Sequence, residues 1–156
     1  MDSERLDQLD WRLLEALQEN ARLTYAELGR RVSLSPPAVA ERVRQLEESG
    51  VITGYRAQLD LPRLGLEMLA IVRVVVATGP ESEGLGRRMK EVPEVLECHR
   101  VTGSDSHVMK IAVRSVRHLE ELLDRIMPRT GDTITSIVLS TPVQNRVITR
   151  EQVLGT

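Results

Sequence analysis

Residues 23–54 constrain the fold most, because they carry the start signals of two short helices that follow one another closely. Thr24 and Glu27 have the spacing of a capping box, in which each side chain bonds the backbone amide of the other residue. Ser35 is a good N-cap, and Pro36 suits the first helical position. The apolar spacing turns one face of each helix inward, with candidate core residues Ala26, Leu28, Val32, Val39, Val43 and Leu46. This pattern predicts a helix-turn-helix.

A helix-turn-helix suggests an interface with double-stranded DNA. Its first helix braces across the phosphate backbone, and its second offers N-terminal side chains to the major groove. We expect base-edge contacts from Ser35, Pro37, Ala38, Glu41 and Arg42. We expect backbone contacts from Thr24, Tyr25, Arg31, Arg44 and Gln45. The alternative is an ordinary helical hairpin with a solvated outer face.

The charge distribution favours this interface only locally. The whole chain has a formal net charge of -2. Residues 22–44 hold five arginines against two glutamates, a net of +3. Aromatic residues are limited to Trp11, Tyr25 and Tyr55, so base stacking on single strands is poorly supported.

A further helix precedes this pair, and a linker follows it. Asp7 can cap the first helix, which ends near Asn20, and Trp11 lies beside its apolar stripe. Trp11 would be a partly buried surface aromatic or would face a partner copy. After the recognition helix, residues 55–66 form a linker whose first part, 55–59, is expected to be a short wing strand.

Beyond the linker the pattern alternates between strands and helices. A β-branched run at 69–77 predicts a strand, and five further segments complete the order strand, helix, strand, strand, helix, strand: 81–92, 95–101, 106–113, 116–126 and 133–141. This is the split βαβ order of a ferredoxin-like domain. We therefore predict an α+β chain: a winged helix-turn-helix domain at 1–54, the linker at 55–66, and a C-terminal ferredoxin-like βαββαβ domain at 67–156.

The sheet of this second domain predicts self-association. Two helices cover one face and leave apolar side chains on the other. A second copy of the chain is the simplest cover, so we expect a homodimer. A dimer would also present two recognition helices to two half-sites of DNA.

Other classes of protein find little support in the sequence. The single cysteine excludes an internal disulfide, and Cys98 and His99 point to opposite faces of one strand. No zinc-ligand cluster, glycine-rich phosphate loop or nucleophile motif is visible. We therefore expect no catalytic residues, no metal and no cofactor. With no signal-like start and no membrane-spanning run, the expected location is the cytoplasm, with no membrane partner.

Several blocks, taken together, resemble the leucine-responsive regulator/AsnC family of bacterial and archaeal transcription regulators. The blocks are Leu6-Asp7-Gln8-Leu9-Asp10, Leu34-Ser35-Pro36, Arg42-Val43-Arg44-Gln45-Leu46-Glu47, Gly50-Val51-Ile52-Thr53-Gly54-Tyr55, Val101-Thr102-Gly103 and Thr135-Ser136-Ile137-Val138-Leu139. The resemblance covers nearly the whole chain. It implies dimers that often assemble further, regulation of genes of amino-acid metabolism, and an amino-acid effector bound in a cleft between dimers.

The resemblance also implies where an effector would bind. The family's glycine loop corresponds here to Thr102, Gly103, Ser104, Asp105, Ser106 and His107, with Thr135 and Ser136 on the last strand. The usual loop resembles Gly-Asp-Tyr-Asp-Tyr, and Ser106 stands where its second Asp would meet an α-amino group. Three alternatives follow: Asp105 compensates, the ligand is not a standard amino acid, or the site is empty. A ligand-independent DNA-bridging architectural protein is the alternative function.

Overall fold

The chain folds into two compact units, and the C-terminal tail belongs to the N-terminal unit. The computed structural model describes residues 6–76, 80–127 and 132–155. One unit comprises residues 6–57 together with 143–155, and the other spans Gln58–Pro142. The second unit is therefore shorter than the domain expected at 67–156, because residues 143–155 belong to the N-terminal unit.

Three helices build the N-terminal unit: α1 (Gln8–Glu19), α2 (Tyr25–Val32) and α3 (Pro36–Glu48). Their caps are those predicted from the sequence. Asp7 caps α1, the Thr24–Glu27 capping box opens α2, and Ser35 caps α3. Each cap satisfies backbone amides that have no partner within the first helical turn.

The core of this unit lies where the three helices meet. The buried side chains include Leu13, Leu17, Leu28, Val32, Val39 and Val43. Two predictions were wrong here. Ala26 is exposed, because it lies on the outer side of α2, whereas Trp11 is only 6% exposed and belongs to the interior.

The turn between α2 and α3 requires a glycine on α2. A Cβ atom at Gly29 would lie 2.4 Å from the Leu34 carbonyl oxygen, which is too close for any side chain. Ser33 supports the turn in the left-handed conformation, with φ of 60°. This close approach allows only three residues, 33–35, to separate α2 from α3.

The C-terminal tail packs on α1 and forms a short helix, α6 (Arg150–Leu154), which the sequence analysis missed. The Gln18 side-chain amide donates to the Ile148 carbonyl at 3.0 Å and accepts from the Ile148 amide at 2.9 Å. The Arg150 amide donates to Glu15 Oε1 at 3.3 Å. Gln18 thus forms with Ile148 the pair of hydrogen bonds that a neighbouring strand would form. These contacts explain why the tail belongs to the N-terminal unit and not to the second unit.

The second unit is a four-stranded antiparallel sheet with two long helices. Its elements are β1 (Met68–Val75), α4 (Pro80–Met89), β2 (Val95–Arg100), β3 (His107–Val113), α5 (Val116–Ile126) and β4 (Asp132–Ile137). The strand order β2-β3-β1-β4 is that of the predicted ferredoxin-like fold. The core is formed by one face of β1 and β3 against the helices, with Val72, Val74, Met109, Ile111, Leu85 and Leu122 buried.

The opposite face of the sheet, here called the open face, follows from strand alternation. Ile71, Arg73, Val108 and Ile134 lie on it, because they pair across the strands away from the buried positions. Ile134 is 48% exposed. This face thus mixes apolar side chains with Arg73.

The structure differs from the prediction in the linker. No strand forms at residues 55–59, so the described residues contain no wing; instead a 3₁₀ turn, Pro62–Leu64, follows. Tyr55 and Leu59 are exposed, and no described strand pairs with this segment. An isolated strand without a partner leaves its backbone groups to water. The predicted strand end at Ala77 lies outside the described residues.

Candidate functional site

The outer surface of α2 and α3 carries the residues predicted to contact DNA. Tyr25, at the first position of α2, is 47% exposed. Ser35 and Pro37 are exposed and Ala38 is half-buried at the start of α3. The Ser35 hydroxyl accepts from the Ala38 amide at 3.4 Å, so its primary bond is within the helix cap. These small side chains leave the N-terminal end of α3 open to approach.

Arg42 faces α1 rather than solvent. Its guanidinium lies 2.7 Å from a carboxylate oxygen of Asp7 and 2.7 Å from one of Asp10. The hydrogen bonds that Arg42 donates to Asp10 and Asp7 raise the pKa of Arg42 above its ordinary value. The side chain is 29% exposed, and Asp10 is 15% exposed. Arg42 thus joins the recognition helix to the N-terminal end of α1, an arrangement that the sequence analysis did not foresee.

Three exposed residues of α3 form a second polar network. Arg44 donates to both carboxylate oxygens of Glu41, at 3.1 and 2.6 Å, and also bonds Glu48. Gln45 donates to Glu41 at 2.8 Å. Hydrogen bonds from Arg44 and Gln45 lower the pKa of Glu41. Glu41, Arg44 and Gln45 therefore share one patch, in which the positive charge of Arg44 is locally neutralised.

The two remaining residues of the DNA prediction, the α2 cap Thr24 and the α2 residue Arg31, contact local partners. The Thr24 hydroxyl donates to Glu27 at 2.7 Å within the capping box. Arg31 forms an ion pair of 3.4 Å with Glu19. Arg22 and Arg30 are exposed, and neither makes an ion pair with any described residue. Their place in the local basic patch was the signal that could have added them to the prediction.

The ligand residues predicted from the glycine loop are divided between the two faces of the sheet. Thr102, Gly103 and Ser104 are exposed in the loop between β2 and β3. Asp105 lies 3.7 Å from Arg73, on the open face. Ser136 shares that face, whereas Thr135 and His107 point to the helix side. The alternation of neighbouring strand side chains causes this division.

Ser106 anchors the loop instead of pointing into free space. Its hydroxyl donates to the Val74 carbonyl at 2.7 Å and accepts from the Val76 amide at 3.1 Å. Its own amide also donates to the Val74 carbonyl, at 2.8 Å. The loop is thus fixed to the end of β1, next to the charged pair of Arg73 and Asp105. Arg73 was missed because it lies inside an apolar strand run, far from the loop in sequence.

Two further features are absent from the described part of the chain. No group of three or more potential metal-ligating side chains occurs among the described residues. No described helix has both the length and the apolar character needed to cross a bilayer. The chain combines a helix-turn-helix that has an open recognition helix with a ferredoxin-like unit that carries a polar loop, a combination typical of a DNA-binding regulator with a ligand-binding domain.

Comparisons with known proteins identify the family. Residues 6–47 match the AsnC-type helix-turn-helix domain, and residues 69–148 match the Lrp/AsnC ligand binding domain. The chain is 35% identical over 136 residues to the transcriptional regulator LrpC of Bacillus subtilis, covering 87% of this chain and 93% of that protein. It is 33% identical over 139 residues to the leucine-responsive regulatory protein of Haemophilus influenzae, covering 86% and 84%.

Solved structures agree with these matches. The Neisseria meningitidis regulator NMB0573, in complex with L-Met, superposes with a TM-score of 0.85 at 30% identity, covering 92% of this chain and 96% of that one. Escherichia coli AsnC gives a TM-score of 0.82 at 30% identity, covering 92% and 97%. The chain belongs to the leucine-responsive regulator/AsnC family of transcriptional regulators.

Proposed function

We propose that this regulator reads double-stranded DNA through the N-terminal half of α3 and responds to a zwitterionic amino acid at the pair Arg73–Asp105. The observation that carries the DNA proposal is the open N-terminal end of α3, where small side chains permit close approach to base edges. In this proposal Ser35, Pro37, Ala38 and Glu41 contact bases, Gln45 contacts the DNA backbone, and Arg44 exchanges its acidic partners for DNA.

We assign Arg42 a positioning role in DNA binding. Its two short ion pairs with α1 support this role, since a base contact would require the guanidinium to leave both carboxylates. Thr24, Tyr25 and Arg31 remain the proposed backbone contacts. Arg22 and Arg30 join them, because both are exposed and make no ion pair with a described residue.

The test begins with selection of bound sequences from random double-stranded DNA, followed by fluorescence anisotropy titrations at several salt concentrations. Arg30→Ala should weaken binding to every sequence similarly and reduce the salt slope by about one. Glu41→Ala should instead relax one position of the selected site by about 1–3 kcal/mol. Arg117→Ala, an exposed arginine on α5 of the second unit, is the control and should leave binding unchanged.

Two outcomes would contradict the proposal. A Glu41→Ala variant with unchanged base preference would contradict the base contact assigned to Glu41. Selection that yields no preferred sequence, with a steep salt slope, would instead favour the ligand-independent architectural alternative, because phosphate contacts then supply nearly all of the affinity.

The effector proposal rests on two opposite charges close to a polar loop. Asp105 can accept from an α-ammonium group, and Arg73 can donate to an α-carboxylate, so the pair offers both partners of an amino-acid zwitterion. Ligand entry would replace one ion pair by two charge-assisted contacts. The L-Met complex of the Neisseria regulator, together with the match of residues 69–148 to a ligand binding domain, supports an amino-acid ligand.

A thermal-shift screen against the twenty amino acids tests the effector proposal. A ligand at a hundred times its dissociation constant should add about 2.7 kcal/mol of stability. The shift should vanish in Asp105→Asn and Arg73→Met and persist in Arg114→Met, which alters an exposed arginine just after β3. A shift that survives both substitutions would place the effector elsewhere.

We also propose that the chain functions as a homodimer through the open face of its sheet. The exposed Ile134, with Ile71 and Val108 on the same face, supports this interface. A two-fold axis there would give each dimer two recognition helices for two half-sites.

A further inference from the structure

A cavity of about 520 Å³ lies between α4 and the edge strand β2 in the second unit. It lies on the helix side of the sheet, because His107, which lines it, pairs with the inward-facing Val74. The loop residues Thr102–Ser106 do not line it, and neither does Arg73. The cavity is therefore separate from the proposed amino-acid site on the open face.

His107 offers this cavity a hydrogen-bond acceptor, the ring nitrogen Nε2, which has no donor partner among the described residues. The single proton of the Ser106 hydroxyl is donated to the Val74 carbonyl, so the 3.2 Å contact between Ser106 Oγ and His107 Nδ1 requires the proton to be on Nδ1. The neutral ring then keeps a lone pair on Nε2. His107 is only 2% exposed, and no described residue hydrogen-bonds Nε2. Nε2 is not among the buried atoms that lack a partner in the described residues, so it is reachable from the cavity and offers an unused acceptor to which a ligand can donate.

Gly86 of α4 keeps this nitrogen accessible. A Cβ atom at Gly86 would lie 3.8 Å from His107 Nε2, and Gly86 itself lines the cavity. The absence of a side chain thus leaves room directly over the acceptor. Burial, and secondarily the charge of Arg100, lowers the pKa of His107, which keeps the imidazole neutral.

The rim of the cavity carries an excess of positive charge. Arg87, Lys90 and Arg100 line it, are exposed, and make no ion pair with any described residue. Of the two acids in the lining, Glu97 is paired with Lys110 at 3.1 Å. The cavity therefore combines a basic rim with a neutral acceptor inside, which matches a small anion that also carries a hydrogen-bond donor.

We propose that this cavity is a second small-molecule site, and that it binds a small hydroxycarboxylate. The hydroxyl donates to His107 Nε2, and the carboxylate contacts the cations of the rim. This inference goes beyond the proposed function, because neither the recognition helix nor the Arg73–Asp105 pair takes part in it.

The first experiment compares L-malate with succinate, which lacks the hydroxyl, by calorimetric titration of the full chain without DNA. Succinate should bind about threefold to tenfold more weakly, the loss expected for one neutral hydrogen bond. Gly86→Leu should abolish L-malate binding by filling the space over Nε2. Gly84→Leu is the matched control, since Gly84 lies on the same helix and does not line the cavity.

Equal binding of L-malate to the two leucine variants, equal affinity for the two acids, or no binding of L-malate would each overturn the proposal. These outcomes say nothing about DNA or amino-acid binding, so a failure here is distinct from a failure of the proposed function.

Cys98 provides an independent test on the unchanged protein. It is the single cysteine of the chain and lines the same cavity. A basic cleft concentrates anions, so iodoacetate should alkylate Cys98 faster than neutral iodoacetamide does. The ratio of these two rates should be about tenfold higher in the folded protein than in the unfolded chain. L-malate should slow this alkylation, as followed by mass spectrometry. Equal relative rates for the two reagents, or no protection, would contradict the assignment.

Discussion

Arg42 connects the recognition helix to the start of α1, which is the basis of the positioning role that we propose for it in DNA binding. Its ion pairs with Asp7 and Asp10 hold α3 against α1. Because the group is partly buried, we expect Arg42→Ala to lower the free energy of unfolding by about 1–2 kcal/mol. Urea denaturation followed by circular dichroism measures this change.

Arg44→Ala is the matched control for this prediction. Arg44 lies on the same helix and also contacts two acids, but its side chain is 53% exposed. Exposed pairs contribute little, so its loss should change stability by less than about 0.5 kcal/mol. Equal effects of the two substitutions would show that the contacts of Arg42 with α1 contribute no more than a surface pair.

His107 makes the stability of the second unit depend on pH. Its folded pKa lies below its ordinary value of 6.5, because burial disfavours the charged ring. As the pH falls below 6.5, the unfolded chain binds a proton that the folded chain does not yet accept. Stability is therefore retained above that pH and lost as the pH falls towards the folded pKa.

We expect this loss to reach at most about 1.4 kcal/mol per pH unit, the limit for one proton. Denaturant midpoints between pH 7.5 and about 5.5, above the ordinary range of carboxylates, measure it. His107→Gln should flatten the dependence, whereas His99→Gln, at an exposed position of β2, should preserve it. A slope unchanged by His107→Gln would assign the effect to another group.

At the scale of elements, local signals predicted most of the fold. The caps at Asp7, Thr24 and Ser35 could be predicted from the sequence because each depends on two residues three positions apart. The helix at Val116–Ile126 was predicted at its observed limits, since its apolar spacing is regular. The wing strand was wrong because strand formation depends on a partner, which no local pattern reveals.

The parts of the candidate sites that escaped prediction depend on distant residues. Arg42 meets acids more than thirty positions earlier, and Arg73 meets Asp105 thirty-two positions later. Ser106 could be aligned with a ligand position of the family, but its hydroxyl is used by the β1 backbone. Residue types thus indicated which polar groups a site could use, whereas the topology determined which of those groups are already engaged by distant residues.

The tail helix α6 and the segment before it offer a prediction at this scale. The Ile148 amide is held by Gln18 alone among the described residues. Gln18→Ala should therefore remove most of the protection of the Ile148 amide against hydrogen exchange. Gln144→Ala, an exposed change within the tail, is the control and should leave that protection intact. Retained protection in Gln18→Ala would indicate that other contacts hold the tail.

For the whole molecule, the proposed dimer through the open face connects the fold of the second unit to DNA recognition. Two half-sites can be read together only if two chains hold their recognition helices at a fixed spacing, so self-association and DNA affinity should change together. Ile134→Lys places a charge on the open face and should weaken the dimer by about thirtyfold or more in sedimentation experiments. Val116→Lys is the matched control, since Val116 is 59% exposed on α5, on the other side of the sheet.

Ile134→Lys should also reduce binding to a two-half-site DNA far more than binding to a single half-site. A variant that stays dimeric would move the interface to another surface, and a monomer with full two-site affinity would separate dimerisation from DNA recognition.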